Sequence, residues 1–306
     1  MKIKKLLGLT TTVVISALIL GACGQSKNED AKVVRVGTMV KSKTEKARWD
    51  KIEELVKKKG VKLKFTEFTD YTQPNKALES DEIDINAFQH YNYLNNWNKA
   101  NKTNLVSVAE TYFTSFRLYS GTKNGKGKYQ TVSEIPNKAT ITIPNDAVNE
   151  SRSLYLLQSA GLLKLKVSGD ALATMSDVVS NPKSLDLKEV DAAQTARSLD
   201  STDAAQTARS LDSTDAAQTA RSLDSTDAAV INNDFVTEAG INPKSAIFIE
   251  PKSKNAKQWY NLLVAQKGWQ DKSKAKAIKE VVKAYHTDAV KKVIEKTSQG
   301  LDQPVW

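Results

Sequence analysis

The sequence predicts an α/β fold, because strand-like and helical patterns alternate along most of the chain. Residues 33–40 (VVRVGTMV) are rich in β-branched side chains and predict a strand. Residues 44–59 carry apolar side chains at helical spacing and end at Gly60, and residues 61–65 alternate as a second strand. A strand, a helix and a strand within about 35 residues form a βαβ unit, and such units build parallel sheets.

The same alternation continues to the C-terminus. A strand is predicted at 83–87, and an aromatic-rich helix follows at 88–102. Later strands are predicted at 106–112, 116–119, 139–143, 228–231 and 245–250, and later helices at 150–160, 273–285 and 288–296. Asp288 is the expected N-cap of the last helix.

The N-terminus has the three-part layout of an exported precursor. Lysines at the start are followed by an apolar stretch and then by Leu20-Gly21-Ala22-Cys23, which contains the only cysteine of the chain. This layout predicts a lipoprotein signal peptide over residues 1–22, with a diacylglyceryl group on Cys23. The alternative, a short membrane helix, is disfavoured because the apolar run is shorter than the ~20 residues that span a bilayer. The polar residues 23–32 predict a lipidated flexible tether.

The charge balance bears on possible partners. The chain has 306 residues and a formal net charge of +10. A basic protein of this kind can bind nucleic acid or a membrane surface. Here the lysines are scattered among acidic residues, and no cluster of arginine and aromatic residues stands out, which favours a solvated lysine surface and predicts no nucleic-acid partner.

A perfect repeat interrupts the second half of the chain. The unit AAQTARSLDSTD occupies residues 192–203, 204–215 and 216–227 without a single difference. Each unit has only one leucine and several alanines, so three units bury too little to stack as a helical binding array. We therefore interpret the repeat as a tolerated surface insertion, which costs little closure entropy.

Catalysis and metal binding have little support in the sequence. The chain has two histidines, His90 and His286, and Cys23 lies outside the folded part. None of the common hydrolase, phosphate-loop, dinucleotide or zinc motifs occurs. The sequence therefore predicts a binding protein that has no catalytic residues, no metal site and no cofactor.

Three polar clusters are candidates for a ligand site. Residues 88–93 (FQHYNY) mix aromatic and amide side chains, and Tyr71 precedes them; such a surface suits a small ligand with an apolar part, although aromatic residues more often form core. Residues 144–152 lie where a strand ends and a helix begins, a position at which ligands bind in parallel sheets. Their Arg152 can hold a carboxylate through two parallel hydrogen bonds. The third cluster is residues 231–234 (INND), in which Asn232 comes directly after a predicted buried strand.

These segments, in this order, resemble the methionine-binding lipoproteins of the NlpA/MetQ type. The resemblance rests on the lipidation signal, VRVGT, QPNKAL, DEIDINAFQHYNYL, IPNDAVNESRSLYLLQSAGL, VDAAQTARSLD and DAAVINNDF, and covers essentially the whole chain. The closing GLDQPVW is similar to streptococcal and related Gram-positive members. The resemblance implies a two-lobe type II periplasmic-binding-protein fold with crossing inter-lobe strands: lobe 1 at 33–115 plus 232–306, and lobe 2 at 116–231 including the repeat at 192–227.

The resemblance also implies a site for methionine between the lobes. Arg152 is expected to hold the ligand carboxylate, and Asn149 and Asn232, with Asn145 nearby, to bond its other polar groups. The thioether slot is expected to be walled by Tyr71, Phe88, His90 and Tyr93. Relatives have one copy of the repeated unit, so residues 190–194 are expected to form a strand and about 24 later residues to be looped out.

The function implied by the resemblance is methionine import. The protein is expected to be a monomer, anchored by its lipid to the outer face of the cytoplasmic membrane, that delivers L-methionine to an ABC permease driven by its ATPase. A methionine-containing dipeptide or another amino acid remains an alternative ligand. A surface interaction protein is an alternative of a different class.

Overall fold

The computed structural model describes residues 30–123, 126–168, 171–199, 226–251 and 254–306. The predicted signal peptide, Cys23, most of the tether and residues 200–225 of the repeat lie outside these ranges. Within them, no helix has both the length and the apolar character needed to cross a bilayer. The described residues form sheets flanked by helices, which confirms the α/β class.

The described elements are numbered in chain order. The strands are β1 (Val33–Met39), β2 (Lys62–Phe68), β3 (Ile85–Ala87), β4 (Leu105–Thr114), β5 (Arg117–Ser120), β6 (Thr122–Lys123), β7 (Lys126–Gly127), β8 (Thr140–Pro144), β9 (Lys164–Leu165), β10 (Val178–Ser180), β11 (Asp186–Val190), β12 (Ala228–Ile231), β13 (Ala246–Ile249), β14 (Tyr260–Gln266) and β15 (Asp302–Pro304). The α-helices are α1 (Lys43–Lys57), α2 (Gln73–Glu79), α3 (Tyr91–Asn101), α4 (Ala147–Ser159), α5 (Ala192–Arg197), α6 (Asn233–Glu238), α7 (Ala275–Tyr285) and α8 (Asp288–Thr297).

The first lobe is built on a six-stranded sheet with the order β15-β4-β14-β3-β1-β2. Strand β1 pairs in parallel with β2 and β3, as the βαβ pattern predicts, whereas β14 runs antiparallel to β3 and β4. The side chains of Val34, Val36 and Leu263 are fully buried against helices α1, α7 and α8. Because both faces of the sheet are covered, the centre of β14, from Leu262 to Ala265, is apolar on both sides.

The second lobe is built on a five-stranded sheet with the order β11-β8-β12-β5-β13. Strand β8 pairs in parallel with β11 and β12, and β5 runs antiparallel to β12 and β13. Helix α4 packs on this sheet, and its Leu154 and Leu157 are buried with Leu118 and Ile141.

The chain crosses between the two sheets twice. The first crossing lies between Thr114 and Arg117, where the sequence placed the boundary at 115/116. The second crossing lies later than predicted: β13 pairs with β5 in the second sheet, so the chain returns between Ile249 and Tyr260 and not at residue 231. Helix α6 lies between the lobes, since its Phe235 ring is 5.2 Å from that of Tyr71, and its neighbour in the second lobe is α5.

Capping residues explain where several helices depart from the predicted bounds. Helix α3 begins at Tyr91 and not at residue 88, because His90 has an extended backbone and its ring caps the helix. Helix α4 begins at Ala147, because Asp146 accepts from the Asn149 backbone N–H. The N-cap of α8 is Thr287, whose hydroxyl accepts from the backbone of Val290, so the assignment of Asp288 was wrong.

The described ends of the repeat lie beside each other. The backbone N–H and the hydroxyl of Thr226 donate to the carbonyl of Ser198 at 3.3 and 3.0 Å. The next residue, Asp227, accepts from the Thr140 backbone N–H at 2.9 Å. Residues 200–225 therefore connect two points that are already in contact. The predicted strand at 190–194 was wrong, because β11 ends at Val190 and α5 begins two residues later.

Candidate functional site

A cavity lies between the two lobes, at the crossings. Its lining atoms leave a space between the lobes that is partly open to solvent. Seven of the eight predicted ligand residues line it: Tyr71, Phe88, His90, Tyr93, Asn149, Arg152 and Asn232. The eighth, Asn145, is exposed and is not part of the lining; its backbone N–H donates to Val190 O at 2.8 Å. Asn145 therefore belongs to a strand connection and is not in the cavity wall.

Seven further residues of the lining were not predicted as ligand contacts: Gln89, Tyr112, Thr114, Phe116, Asn233, Asp234 and Asn261. Gln89 belongs to the aromatic–amide run that pointed to the site, so its inclusion has a clear sequence signal. Asn233 and Asp234 belong to the third candidate cluster, of which only Asn232 was predicted as a ligand contact. Asn261 had no such signal, because it lies on β14, a strand that was not predicted.

Three aromatic rings form one wall of the cavity. The ring centroids of Tyr71, Phe88 and Tyr93 lie 5.6–6.0 Å from one another, in tilted and edge-to-face arrangements. The Tyr93 hydroxyl donates to the carbonyl of Tyr71 at 3.0 Å, and the Tyr71 hydroxyl donates to Asp234 Oδ2 at 2.9 Å. These bonds hold the rings in place, so the wall offers polarisable ring faces and edges to an apolar ligand group.

His90 is a neutral member of the wall. Its Nδ1 accepts the backbone N–H of Tyr93 at 3.2 Å, which assigns the ring proton to Nε2. Burial, together with the nearby cation of Arg152, lowers the pKa of His90 to about 3. The imidazole therefore stays uncharged across the physiological range. It packs edge-to-face against Trp259, with ring centroids 5.0 Å apart.

The Arg152 guanidinium is buried at the junction of both crossings. Its Nε and Nη2 donate to Glu250 Oε1 and Oε2 at 2.9 and 2.6 Å, and Nη2 also donates to the carbonyl of Thr114 at 2.9 Å. The rings of Phe116 and Trp259 each lie 4.3 Å from the Arg152 Cζ. The parallel two-bond arrangement that we expected for a ligand carboxylate is therefore already formed with Glu250. Among the described residues, Nη1 has no hydrogen-bond acceptor.

Three amide oxygens of lining residues lack hydrogen-bond partners among the described residues, those of Asn149, Asn232 and Asn233. Asn149 Oδ1 and Asn232 Oδ1 are buried and accept no hydrogen bond of regular geometry from a described residue, and the His90 ring lies within reach of the Asn149 side chain. The Asn149 amide is oriented by its Nδ2, which donates to Asp146 Oδ2 at 2.8 Å, and Asn232 caps α6 without using its side chain. A buried acceptor without a partner costs about 1–3 kcal/mol, so these oxygens favour a ligand that carries N–H donors.

A cluster of carboxylates lies against the aromatic wall, and its half-buried Asp234 also lines the cavity. Glu45, Asp234 and Asp302 share it with Arg48, whose Nη2 is 3.4 Å from Asp302 Oδ2. Asn233 Nδ2 donates to Asp302 Oδ1 at 2.8 Å, which joins α6 to the first lobe. Burial and neighbouring negative charge raise the pKa of Glu45 to about 8, and burial raises the pKa of Asp234 to about 6. As the pH falls, Glu45 therefore takes up a proton near pH 8 and Asp234 near pH 6.

The arrangement suits a small dipolar ligand with an apolar end. It presents guanidinium N–H donors at one place, amide acceptors at a second and an aromatic wall at a third. The lining contains no histidine that can act as a base at neutral pH. In the described part of the chain, no group of histidine, aspartate and glutamate side chains is arranged to hold a metal ion.

Comparison with known proteins gives a consistent result over nearly the whole chain. A family model described as NlpA lipoprotein matches residues 34–210 and 208–306, and the two matches meet inside the repeat. The D-methionine-binding lipoprotein MetQ of Salmonella typhi is 33% identical over 288 residues, which cover 94% of this chain and 93% of that protein.

Solved structures extend this likeness to the fold. The substrate-binding protein of a methionine transporter from Streptococcus pneumoniae is 54% identical, with a TM-score of 0.80, covering 90% of this chain and 96% of that one. A nutrient-binding protein from Burkholderia cenocepacia, solved bound to methionine, is 32% identical, with a TM-score of 0.72, covering 89% and 100%. The sequence match and the shared two-lobe architecture agree with the family inferred from the sequence, and the chain belongs to the NlpA lipoprotein family.

Proposed function

We propose that this protein is the methionine receptor of an ABC importer. It binds methionine in the cavity between its lobes and delivers it to a permease that is driven by a cytoplasmic ATPase, without changing the ligand chemically. The observation that carries this proposal is the cavity itself, where donors from Arg152, unpartnered oxygens of Asn149 and Asn232, and an aromatic wall converge. The likeness to a methionine transporter's binding protein supports the same ligand.

Each part of the ligand has a matching part of the wall. The carboxylate would accept from Arg152 Nη1, and the ammonium would donate to the oxygens of Asn149 and Asn232. The thioether would pack against Tyr71 and Phe88, since sulfur makes favourable contacts with ring edges. Because His90 is neutral, it adds no charge to the slot, and the wall around the thioether remains compatible with an apolar group.

Isothermal titration calorimetry of the mature protein tests the ligand and the arginine together. We expect binding of methionine, with a loss of about 2–5 kcal/mol in Arg152→Ala, by analogy with breaking a buried charge pair. Arg35→Ala is the control, because Arg35 forms a two-bond pair with Asp84 outside the cavity and should keep its affinity. Near-unchanged binding by Arg152→Ala would exclude the arginine as the carboxylate contact.

A panel of ligands tests the specificity. L-methionine, D-methionine, the other free amino acids and methionine-containing dipeptides are compared in the same titration. Binding confined to methionine supports the proposal. If a dipeptide or another amino acid binds more tightly than methionine, that molecule and not methionine is the ligand. If no small molecule binds, the result favours a surface interaction protein.

The proposal places the protein on the outer face of the cytoplasmic membrane. A diacylglyceryl group on Cys23 supplies two acyl chains, which anchor a protein firmly, whereas a single chain binds only marginally. Changing Cys23 to serine should release the protein from washed membranes into the medium, as measured by immunoblotting of both fractions. Retention of the serine variant on the membrane would contradict the lipid anchor.

A further inference from the structure

Glu250 occupies an unusual position next to the ligand cavity. It follows β13 directly and lies at the second crossing between the lobes. Its carboxylate accepts from Arg152 at 2.9 and 2.6 Å, and Oε2 also accepts the Phe116 backbone N–H at 3.0 Å. Its own backbone N–H donates to the carbonyl of Phe116 at 2.9 Å. Glu250 thus links Arg152, on helix α4 of the second lobe, to both crossing segments.

The hydrogen bonds of Arg152 determine which of its donors face a ligand. A guanidinium has five N–H groups in a fixed planar fork. The structure uses three of them: one on Nε and one on Nη2 donate to Glu250, and the other on Nη2 donates to Thr114 O. The two that remain are both on Nη1. Glu250 and Thr114 therefore leave one nitrogen of Arg152 for the ligand and fix its direction.

Two aromatic rings stack on the Arg152 guanidinium and restrict its movement out of its own plane. The rings of Phe116 and Trp259 each lie 4.3 Å from the Arg152 Cζ, and the side chain is only 2% exposed. The stacked rings limit tilting of the guanidinium, but they do not prevent its rotation within its own plane. The two bonds from Glu250 provide that in-plane restraint.

We propose that Glu250 is the positioning residue of the ligand site: it orients Arg152 so that Nη1 meets the ligand carboxylate, and it joins this contact to both inter-lobe crossings. This inference rests on the proposed function, because it concerns the carboxylate of the same amino-acid ligand. Glu250 does not touch the ligand in this arrangement. Its role is to keep the guanidinium from turning and to fix it to the segments about which the lobes move.

A comparison of two ligands in two variants tests this role. Methionine and methioninamide differ only in the carboxylate that Arg152 would bind. In Glu250→Gln, the amide cannot accept both arginine bonds, so the affinity for methionine should fall about tenfold or more, whereas that for methioninamide should change by less than about threefold. Asp84→Asn is the matched control, because Asp84 forms a comparable two-bond pair with Arg35 away from the cavity and should leave both affinities unchanged.

The outcomes separate this inference from the proposed function. Equal losses for the two ligands in Glu250→Gln would show a purely structural role and overturn the inference, and so would tighter methionine binding, which would make Glu250 a competitor of the ligand carboxylate. In both cases methionine binding by the wild type would still support the proposed function. No methionine binding by the wild type would overturn both. Thermal melts of each variant verify that the binding differences come from folded protein.

Discussion

Replacing Glu45 by glutamine should make the protein more stable at neutral pH. Glu45 lies in the first turn of α1 and is buried in the cluster with Arg48, Asp234 and Asp302. Burial, and secondarily the charge of Asp234, raises its pKa to about 8. Ionising this carboxylate in the folded state is therefore unfavourable. Glutamine has nearly the same shape, and it can accept the Ser42 backbone N–H and keep the capping box.

The sign follows from proton linkage. Below the unfolded pKa of Glu45, about 4.5, both states are protonated and the fold carries no penalty. Between that pH and about 8, only the folded state keeps the proton, so the free energy of unfolding falls by about 1.4 kcal/mol per pH unit. From pH 5.5 to 7.5 the wild type should thus lose about 2–3 kcal/mol through this one group. Above about 8 the loss levels off.

Urea denaturation at pH 5.5 and pH 7.5 measures this effect. Glu45→Gln should not show the loss of stability that Glu45 causes between these pH values, and it should be more stable than the wild type at pH 7.5. Glu53→Gln is the control, since Glu53 lies on the exposed face of the same helix. The reasoning is refuted if Glu45→Gln is less stable than the wild type at both pH values. It is also refuted if the free energy of unfolding of Glu45→Gln falls as steeply between pH 5.5 and pH 7.5 as that of the wild type, because the buried carboxylate would then not cause the pH dependence.

Two further predictions concern the repeat and the site. Removing residues 204–227 should leave the melting temperature unchanged or raise it, as measured by circular dichroism; a large decrease would show that the removed residues stabilise the fold. Trp259→Phe should abolish most of the change in tryptophan emission on methionine binding, because Trp259 stacks on Arg152, whereas Trp269→Phe should retain it, because Trp269 packs in the core of the first lobe. Equal signals from the two variants would mean that the emission change arises elsewhere.

Sequence patterns predicted the helices and strands that bury one face and expose the other. The amphipathic helices α1, α7 and α8 were found within a few residues of their bounds, because apolar side chains at helical spacing mark them. Strand β14 was missed because its central residues are all buried, so it lacks alternation. Strand β11 was placed too late because it is an edge strand with mostly exposed side chains.

The site was predictable where its residues lie close together in sequence. The aromatic–amide run around His90 and the strand-to-helix junction before Asn149 each carry a local signal. The partner of Arg152 carries none, since Glu250 is 98 residues away and resembles any other glutamate beside a proline. The two parallel hydrogen bonds that were expected between Arg152 and the ligand carboxylate are instead made to Glu250.

The repeat shows how an insertion can leave a fold intact. Residues 192–199 of the first copy form α5 and its end, and Thr226 and Asp227 of the third copy make the contacts that follow. Together these supply the first eight and the last two positions of one AAQTARSLDSTD unit. A chain with a single copy would place the same threonine and aspartate three and four residues after the leucine, so the contacts of Thr226 and Asp227 could form again. Closing the shorter connection costs less entropy, by about 2 kcal/mol from the logarithmic dependence on length. One unit of the repeat is therefore enough to supply the residues that make these described contacts of the second lobe.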